Sequence, residues 1–388
     1  MWSNVPMSLT SSRLRGLVDW DLAAGTAAKL APAGPRVSPT RMRATVDSLR
    51  EAADASVAHV HEISRLDAAA DLRDSAVLVV DRATWSRANT QSFSVLMQPA
   101  LDRLVETRGQ ALTAATAALG GRLTGVQLGT ILSFLSSKVL GQYDPFAALA
   151  PGSTAPPAGR LLLVAPNVLE VERELNVESA DFRLWVCLHE QTHRVQFAAA
   201  PWLRGHMIEQ IGRLSESMVD KADTFAARIA EAARSVGSGR LTGAAGTPAR
   251  TDGSGGSGVG LLGIFQDEQE RQIFSHLTAV MSLLEGHANV VMDGVDASIV
   301  PTVRTIRQRF NARGASRSGL EKLIRQLLGL DAKMRQYSDG SRFVRGVVEQ
   351  VGLDGFNRIW DAPDQLPTEQ EIHHPGDWVA RMGLSGRR

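Results

Sequence analysis

The chain has 388 residues, 44% of them hydrophobic and 21% charged, the make-up of a soluble globular protein with enough apolar surface to bury a large core. Its 42 basic and 41 acidic side chains leave a formal charge of +1, so no long-range field gathers nucleic acid or an anionic membrane, and neither is expected as a partner. A single cysteine, Cys187, excludes a disulfide scaffold and any site of several thiolates, so a metal here must sit on His, Asp or Glu.

The first residues, Met1-Trp2-Ser3-Asn4-Val5-Pro6, show no basic region followed by an apolar run. No secretory signal is expected, and a cytoplasmic location is the default. Thr40 to Leu66 repeats apolar residues at helical spacing behind Ser38-Pro39, which predicts an amphipathic helix. Ala76 to Asp81 reads either as a short strand or as the first turn of a helix carrying Trp85 and Asn89. Phe93 to Ala118 and Gly121 to Gly141 read as two helices, separated by Gly120-Gly121 and closed near Gln142-Tyr143-Asp144-Pro145. Leu123 to Leu140 is the most apolar stretch, but Gln127, several serines and Lys138 interrupt it. A span needs roughly 20 predominantly apolar residues, so a buried helix is predicted.

Pro151 to Gly159 is a connection, leading into Arg160 to Pro166, an apolar run of strand length and the best strand candidate. Asp181 is expected to cap a helix through Ala200, stopped by Pro201, with a further helix from Arg204 to Ala233. Ser235 to Gly260 is rich in Gly, Ser, Thr and Ala and reads as a flexible insertion. Helical periodicity resumes from Ile264 to Asp293, stops at Gly294, and returns from Arg317 to Arg345. Trp360 and Trp378 are expected to pin the tail. The predicted fold is α+β and mainly helical, with a small sheet beside the helix that carries the site. Residues 1–150 form a helical N-terminal region and 151–388 a catalytic region, together one compact unit.

The chemistry concentrates in Leu188-His189-Glu190-Gln191-Thr192-His193. Histidines four apart project from one helix face and can chelate one ion, with Glu190 beside them. Zinc so held brings its bound water to a pKa of about 7, and a neighbouring carboxylate can take the water's proton as it attacks a carbonyl. The preceding turns, from Phe182 to Leu188, are mostly apolar, so the helix is expected to be buried. Cys187 lies about 160° around the helix from His189 and is expected to be a packed thiol pointing away from the metal.

Two histidines leave a tetrahedral site short of a protein ligand. Glu285 is the choice, because Met281, Ala288 and Met292 around it are apolar and an unpaired carboxylate there would be costly. His287 is the rival ligand. Asn289 and Asp293 follow at helical intervals and are candidates to orient a histidine. Tyr143, Arg194, His206 and His276 are candidates to polarise a substrate oxygen, and spacing does not choose among them. His373-His374, near the C-terminus, are expected to be exposed.

Several segments together resemble the actinobacterial zincin-like metallopeptidase type 2 family, whose members are often labelled as associated with biosynthesis of a deazaflavin coenzyme. The segments are Val18-Asp19-Trp20-Asp21, Val80-Asp81-Arg82-Ala83-Thr84-Trp85, Val139-Leu140-Gly141-Gln142-Tyr143-Asp144 and Ala165-Pro166-Asn167. Phe182-Arg183-Leu184-Trp185 then leads into His189-Glu190-Gln191-Thr192-His193-Arg194-Val195-Gln196-Phe197, and Glu285-Gly286-His287-Ala288 completes the pattern. The resemblance implies a largely helical zincin-like fold and a peptidase activity of unestablished substrate. The expected function is zinc-dependent peptide hydrolysis, with His189, His193 and Glu285 on zinc and Glu190 as general base. The Leu161 to Val164 strand is expected to receive an extended peptide or protein substrate by strand addition. Two alternatives stand beside this: a non-catalytic zinc protein whose surface recognises a partner, and a hydrolase of a non-peptide amide or ester.

Overall fold

The computed structural model describes residues 17–108, 114–220, 267–315 and 330–384. Helix α1 (Trp20–Leu30) is followed by α2 (Pro39–Ser64), strand β1 (Ala76–Val80), α3 (Arg82–Arg108), α4 (Ala114–Ser136) and strand β2 (Gly141–Asp144). Strand β3 (Arg160–Val164) then leads through α5 (Ala165–Leu175) to α6 (Ser179–Ala199), the helix of the histidine pair, and to α7 (Leu203–Asp220). Beyond residue 266 lie α8 (Glu268–Asp293), α9 (Val303–Ala315), α10 (Leu330–Asn357) and the short α11 (Glu369–His373) and α12 (Pro375–Arg381). The expected continuation of α7 to Ala233, the 235–260 segment, the helix start at Ile264, residues 317–329 and the first six residues lie outside the described residues. No described helix is long and apolar enough to cross a membrane.

Local chemistry explains the helix starts. Ser38 caps α2, its hydroxyl accepting from Arg41 N at 3.2 Å, with Pro39 in the first turn. Asp267 caps α8 through Gln269 N at 2.9 Å. Asp181, the expected cap of α6, lies inside its first turn instead. Its carboxylate accepts from the backbone and hydroxyl of Thr302 at 2.7 and 2.6 Å, tying α6 to the segment that opens α9. Gly120-Gly121 do not break the chain into separate helices: both lie within α4, and the Gly121 carbonyl accepts from Asp19 N at 3.0 Å as α1 packs along α4. Tertiary packing here outweighs the weak helix propensity of glycine.

The sheet is ordered β1-β3-β2, with β1 parallel and β2 antiparallel to β3. It joins strands from both sides of residue 150. All five β3 residues are buried, because both faces of the strand are covered. Leu163 joins the larger core with Leu188 of α6 and Leu283 of α8, while Leu162 and Val164 turn to a smaller core with Trp85 of α3 and Leu132 of α4. Trp360 and Trp378 are fully buried, and they pin the tail as expected. Helix α6 packs against α2, against α8, and against β2 and β3, so it is held from three sides.

The sheet corrects the strand-addition expectation. β3 is paired along both edges and cannot take up a substrate strand, whereas among the described residues β2 has a partner on one side alone. The Val164 N–H donates to the Leu140 carbonyl at 2.8 Å. Pairing alternates along an antiparallel ladder, so Gln142 and Asp144 direct their backbone groups to β3, while Gly141 and Tyr143 turn theirs to the outer edge.

Candidate metal centre

His189 and His193 stand one turn apart on α6, their rings edge to face with centroids 5.0 Å apart. Glu285 reaches them from α8: its Oε2 lies 4.0 Å from His189 Nε2 and 3.8 Å from His193 Nε2. Three such donor atoms all lie within 4.8 Å of one another, the one cluster of this kind among the described residues. These separations are too long for hydrogen bonds. They exceed by roughly 0.5 to 0.7 Å the roughly 3.3 Å expected between tetrahedral ligands of zinc at about 2.05 Å. Two imidazoles and a carboxylate facing one point are a donor set for a borderline-soft dication, so the residues fit zinc.

A close helix crossing lies next to Glu285. A Cβ on Gly286 would lie 2.2 Å from the Gly340 carbonyl carbon, and one on Gly340 would lie 1.9 Å from the Ser282 carbonyl oxygen. The two glycines let α10 lie flush on the back of α8. Glu285 lies about 100° around α8 from Gly286, on the flank of this crossing, and reaches across to the histidines of α6.

Glu190 is buried beside this cluster and does not belong to it. Its neighbour is β2: a Cβ on Gly141 would lie 2.5 Å from Glu190 Cγ, so any side chain there would displace the carboxylate. Burial, and secondarily the Glu285 charge, push the Glu190 carboxyl up to about 8 in the metal-free protein.

A model of the zincin-like metallopeptidase family matches residues 18–379. The chain belongs to that family. A crystal structure described as that of "a putative hydrolase with a novel fold from Chloroflexus aurantiacus" is similar at 29% identity and a TM-score of 0.62, covering 95% of this chain and 100% of the other. No curated protein gives a match. Family membership supports a metal-dependent hydrolase, and the mainly helical fold with its small sheet agrees with it.

In this zincin-like protein the remaining sequence candidates are not among the clustered donors. His287 is turned about 200° around α8 from Glu285. It contacts Gln196 Nε2 through Nδ1 at 3.0 Å, so it is not in the donor cluster. Tyr143 donates its hydroxyl to the Ala158 carbonyl and packs its ring on Phe197, and burial raises its pKa. Arg194 is bound to Asp74 at 2.9 Å and to the Leu72 carbonyl at 3.1 Å, anchoring α6 to the segment before β1. His206 and His276 contact each other, Nε2 to Nε2 at 2.7 Å, and His276 sits about 13 Å along α8 from Glu285. Asp293 pairs with Arg345 on the surface. Asn289 lies one turn beyond Glu285, half-buried and without a hydrogen bond among the described residues. His373 and His374 are exposed. Cys187 is fully buried, its thiol directed at the Leu49 carbonyl and its pKa raised by burial. Sequence reasoning missed Gln196, which touches His193 from one turn further along α6. Its signal was a polar residue on the His193 face of a buried helix.

These environments set how the metal-free protein responds to pH. Burial, with His193 repulsion second, holds His287 at about 3 against an ordinary 6.5, and His189 is lowered to about 3 in the same way. Below pH 6.5 the unfolded chain takes up protons that the folded chain refuses, so stability falls as pH falls toward 3. Glu190 acts in the opposite sense. It keeps its proton in the fold up to about pH 8, while the unfolded chain loses it near 4.5, so stability falls as pH rises across that window. Each group contributes a slope of about 1.4 kcal/mol per pH unit. Two histidine slopes outweigh the one of Glu190 below pH 6.5, so urea unfolding of the metal-free protein from pH 4 to 9 is expected to give greatest stability near pH 6.5, with decline on both sides. A flat profile above pH 6.5 would contradict the Glu190 environment.

Proposed function

We propose that this protein is a zinc-dependent peptidase, a reading carried by the convergence of His189, His193 and Glu285 beside the buried Glu190. The two histidines and Glu285 would hold the ion. When bound, zinc supplies Lewis acidity toward a carbonyl oxygen and lowers the pKa of its water to about 7. Glu190 accepts the proton of the attacking water and returns it to the leaving nitrogen. Gly141 keeps space for that carboxylate, and β2 keeps it out of bulk water. An extended peptide or protein chain lies along the outer edge of β2, bonded to the backbone groups of Gly141 and Tyr143, with its scissile bond carried past Glu190.

The test is metal content together with cleavage of a peptide library, on wild type and His193→Ala. One equivalent of zinc with cleavage in wild type, and loss of both in the variant, is expected. Zinc without turnover would favour a metal-ordered partner-binding surface, and cleavage of amide or ester libraries alone would move the substrate class away from peptides.

A further inference from the structure

Gln196 is completely buried, one turn beyond His193 on α6. Its amide has three partners. Nε2 lies 2.7 Å from the Leu284 carbonyl oxygen and 3.0 Å from His287 Nδ1, and Oε1 lies 3.0 Å from His193 Nδ1. A carbonyl oxygen only accepts, so the atom facing Leu284 must be the amide nitrogen, and the orientation of the amide follows from chemistry. Its oxygen then faces His193, whose Nδ1 must carry the proton. The second amide hydrogen points at His287, whose Nδ1 must be the bare nitrogen. Three of the amide's four hydrogen-bonding positions are used, both N–H donors and one lone pair of the oxygen.

Two consequences follow. With its proton on Nδ1, a neutral His193 leaves the Nε2 lone pair free, and this is the nitrogen 3.8 Å from Glu285 Oε2. The amide also grips α8 at Leu284 and His287, on either side of Glu285 in sequence. His287 is held firmly in place as the acceptor. Its ring stacks on Phe356 at 5.5 Å and meets Trp360 at 5.3 Å, and its Nε2 is buried with no hydrogen-bond partner among the described residues.

We infer that Gln196 is a positioning residue of the metal centre, fixing the tautomer of His193 and latching α8 so that Glu285 meets the histidines, with His287 as the acceptor that holds the latch. The latch reaches the ion through the ligand set proposed above and rests on that reading. The tautomer does not. A leucine or methionine would fill the same space, but it could neither order the imidazole nor hold two helices in register.

Two measurements test the inference. The first is the nitrogen-15 spectrum of histidine in the metal-free wild type, with His193 assigned from its absence in His193→Ala. A neutral imidazole protonated at Nδ1 is expected, and protonation at Nε2 would overturn the inference. The second is zinc affinity of wild type and Gln196→Met, by competition with a chromophoric chelator. Gln196→Met keeps the volume and loses the hydrogen bonds, and it is expected to bind zinc about 10- to 100-fold more weakly. Affinity within twofold of wild type would overturn the latch and leave Gln196 a packing residue. If the variant does not fold, the wild-type spectrum still decides. If wild type binds no zinc, the peptidase proposal falls, and the spectrum alone says whether Gln196 sets the tautomer.

Discussion

Replacing Glu190 with glutamine is expected to lower peptide turnover by about 10²- to 10⁴-fold, the usual contribution of a positioned general base, while zinc stays bound. Glutamine has the same shape, so it fits the space that Gly141 leaves open, but it cannot take a proton from water. Glu190 stands outside the donor cluster, so its loss leaves the three ligand atoms in place. The same substitution carries a second signature. The carboxyl pushed up to about 8 by burial is gone, so metal-free Glu190→Gln is expected to be more stable than wild type at pH 9 and to lose the alkaline decline. Turnover within a few fold of wild type, with zinc bound, would remove Glu190 from the chemistry. Chelator-corrected initial rates on one cleaved peptide, beside urea unfolding at pH 6 and pH 9, read both effects.

Gly340→Ala is expected to destabilise the protein by about 3 kcal/mol and to weaken zinc binding with it. The new methyl would stand 1.9 Å from the Ser282 carbonyl oxygen, and backbone cannot swing aside as a flexible side chain does. Helix α10 must back away from α8, and the turn that moves first holds Glu285 and Gly286. Gly205→Ala is the control. It lies exposed on α7 with nothing among the described residues within 4 Å of an added Cβ, and the substitution is expected to raise stability by about 0.5 to 1 kcal/mol through helix propensity. Denaturant midpoints and zinc titrations of the two variants separate them. An unchanged Gly340→Ala would mean that the helices do not cross as closely as described.

The histidine pair was legible because helical spacing alone puts residues four apart on one face, and no long-range information is needed. Glu285 was legible for a different reason: a carboxylate among apolar helical neighbours demands a cation, wherever that cation lies. β3 could be read from its apolar run and closing proline. β2 could not. Of its four residues Tyr143 alone favours a strand strongly, and the strand exists because β3 offers it a ladder and α6 needs the glycine at its start. That gap misdirected the substrate strand, since an apolar run does not reveal which strand lies at the edge. The continuity of α4 through Gly120-Gly121 was hidden for a similar reason, because the compensating contact comes from α1. Gln196 stood in view beside His193, but its meaning depends on Leu284 and His287, about ninety residues on, which spacing does not connect.

The most direct measurement of the central claim is an anomalous difference map from crystals of the protein loaded with one equivalent of zinc. A single peak is expected about 2.0–2.2 Å from His189 Nε2, His193 Nε2 and a carboxylate oxygen of Glu285, with Glu190 beside it and not bound to it. Zinc found elsewhere, for instance on the His206 and His276 pair, or no ordered zinc at all, would contradict it.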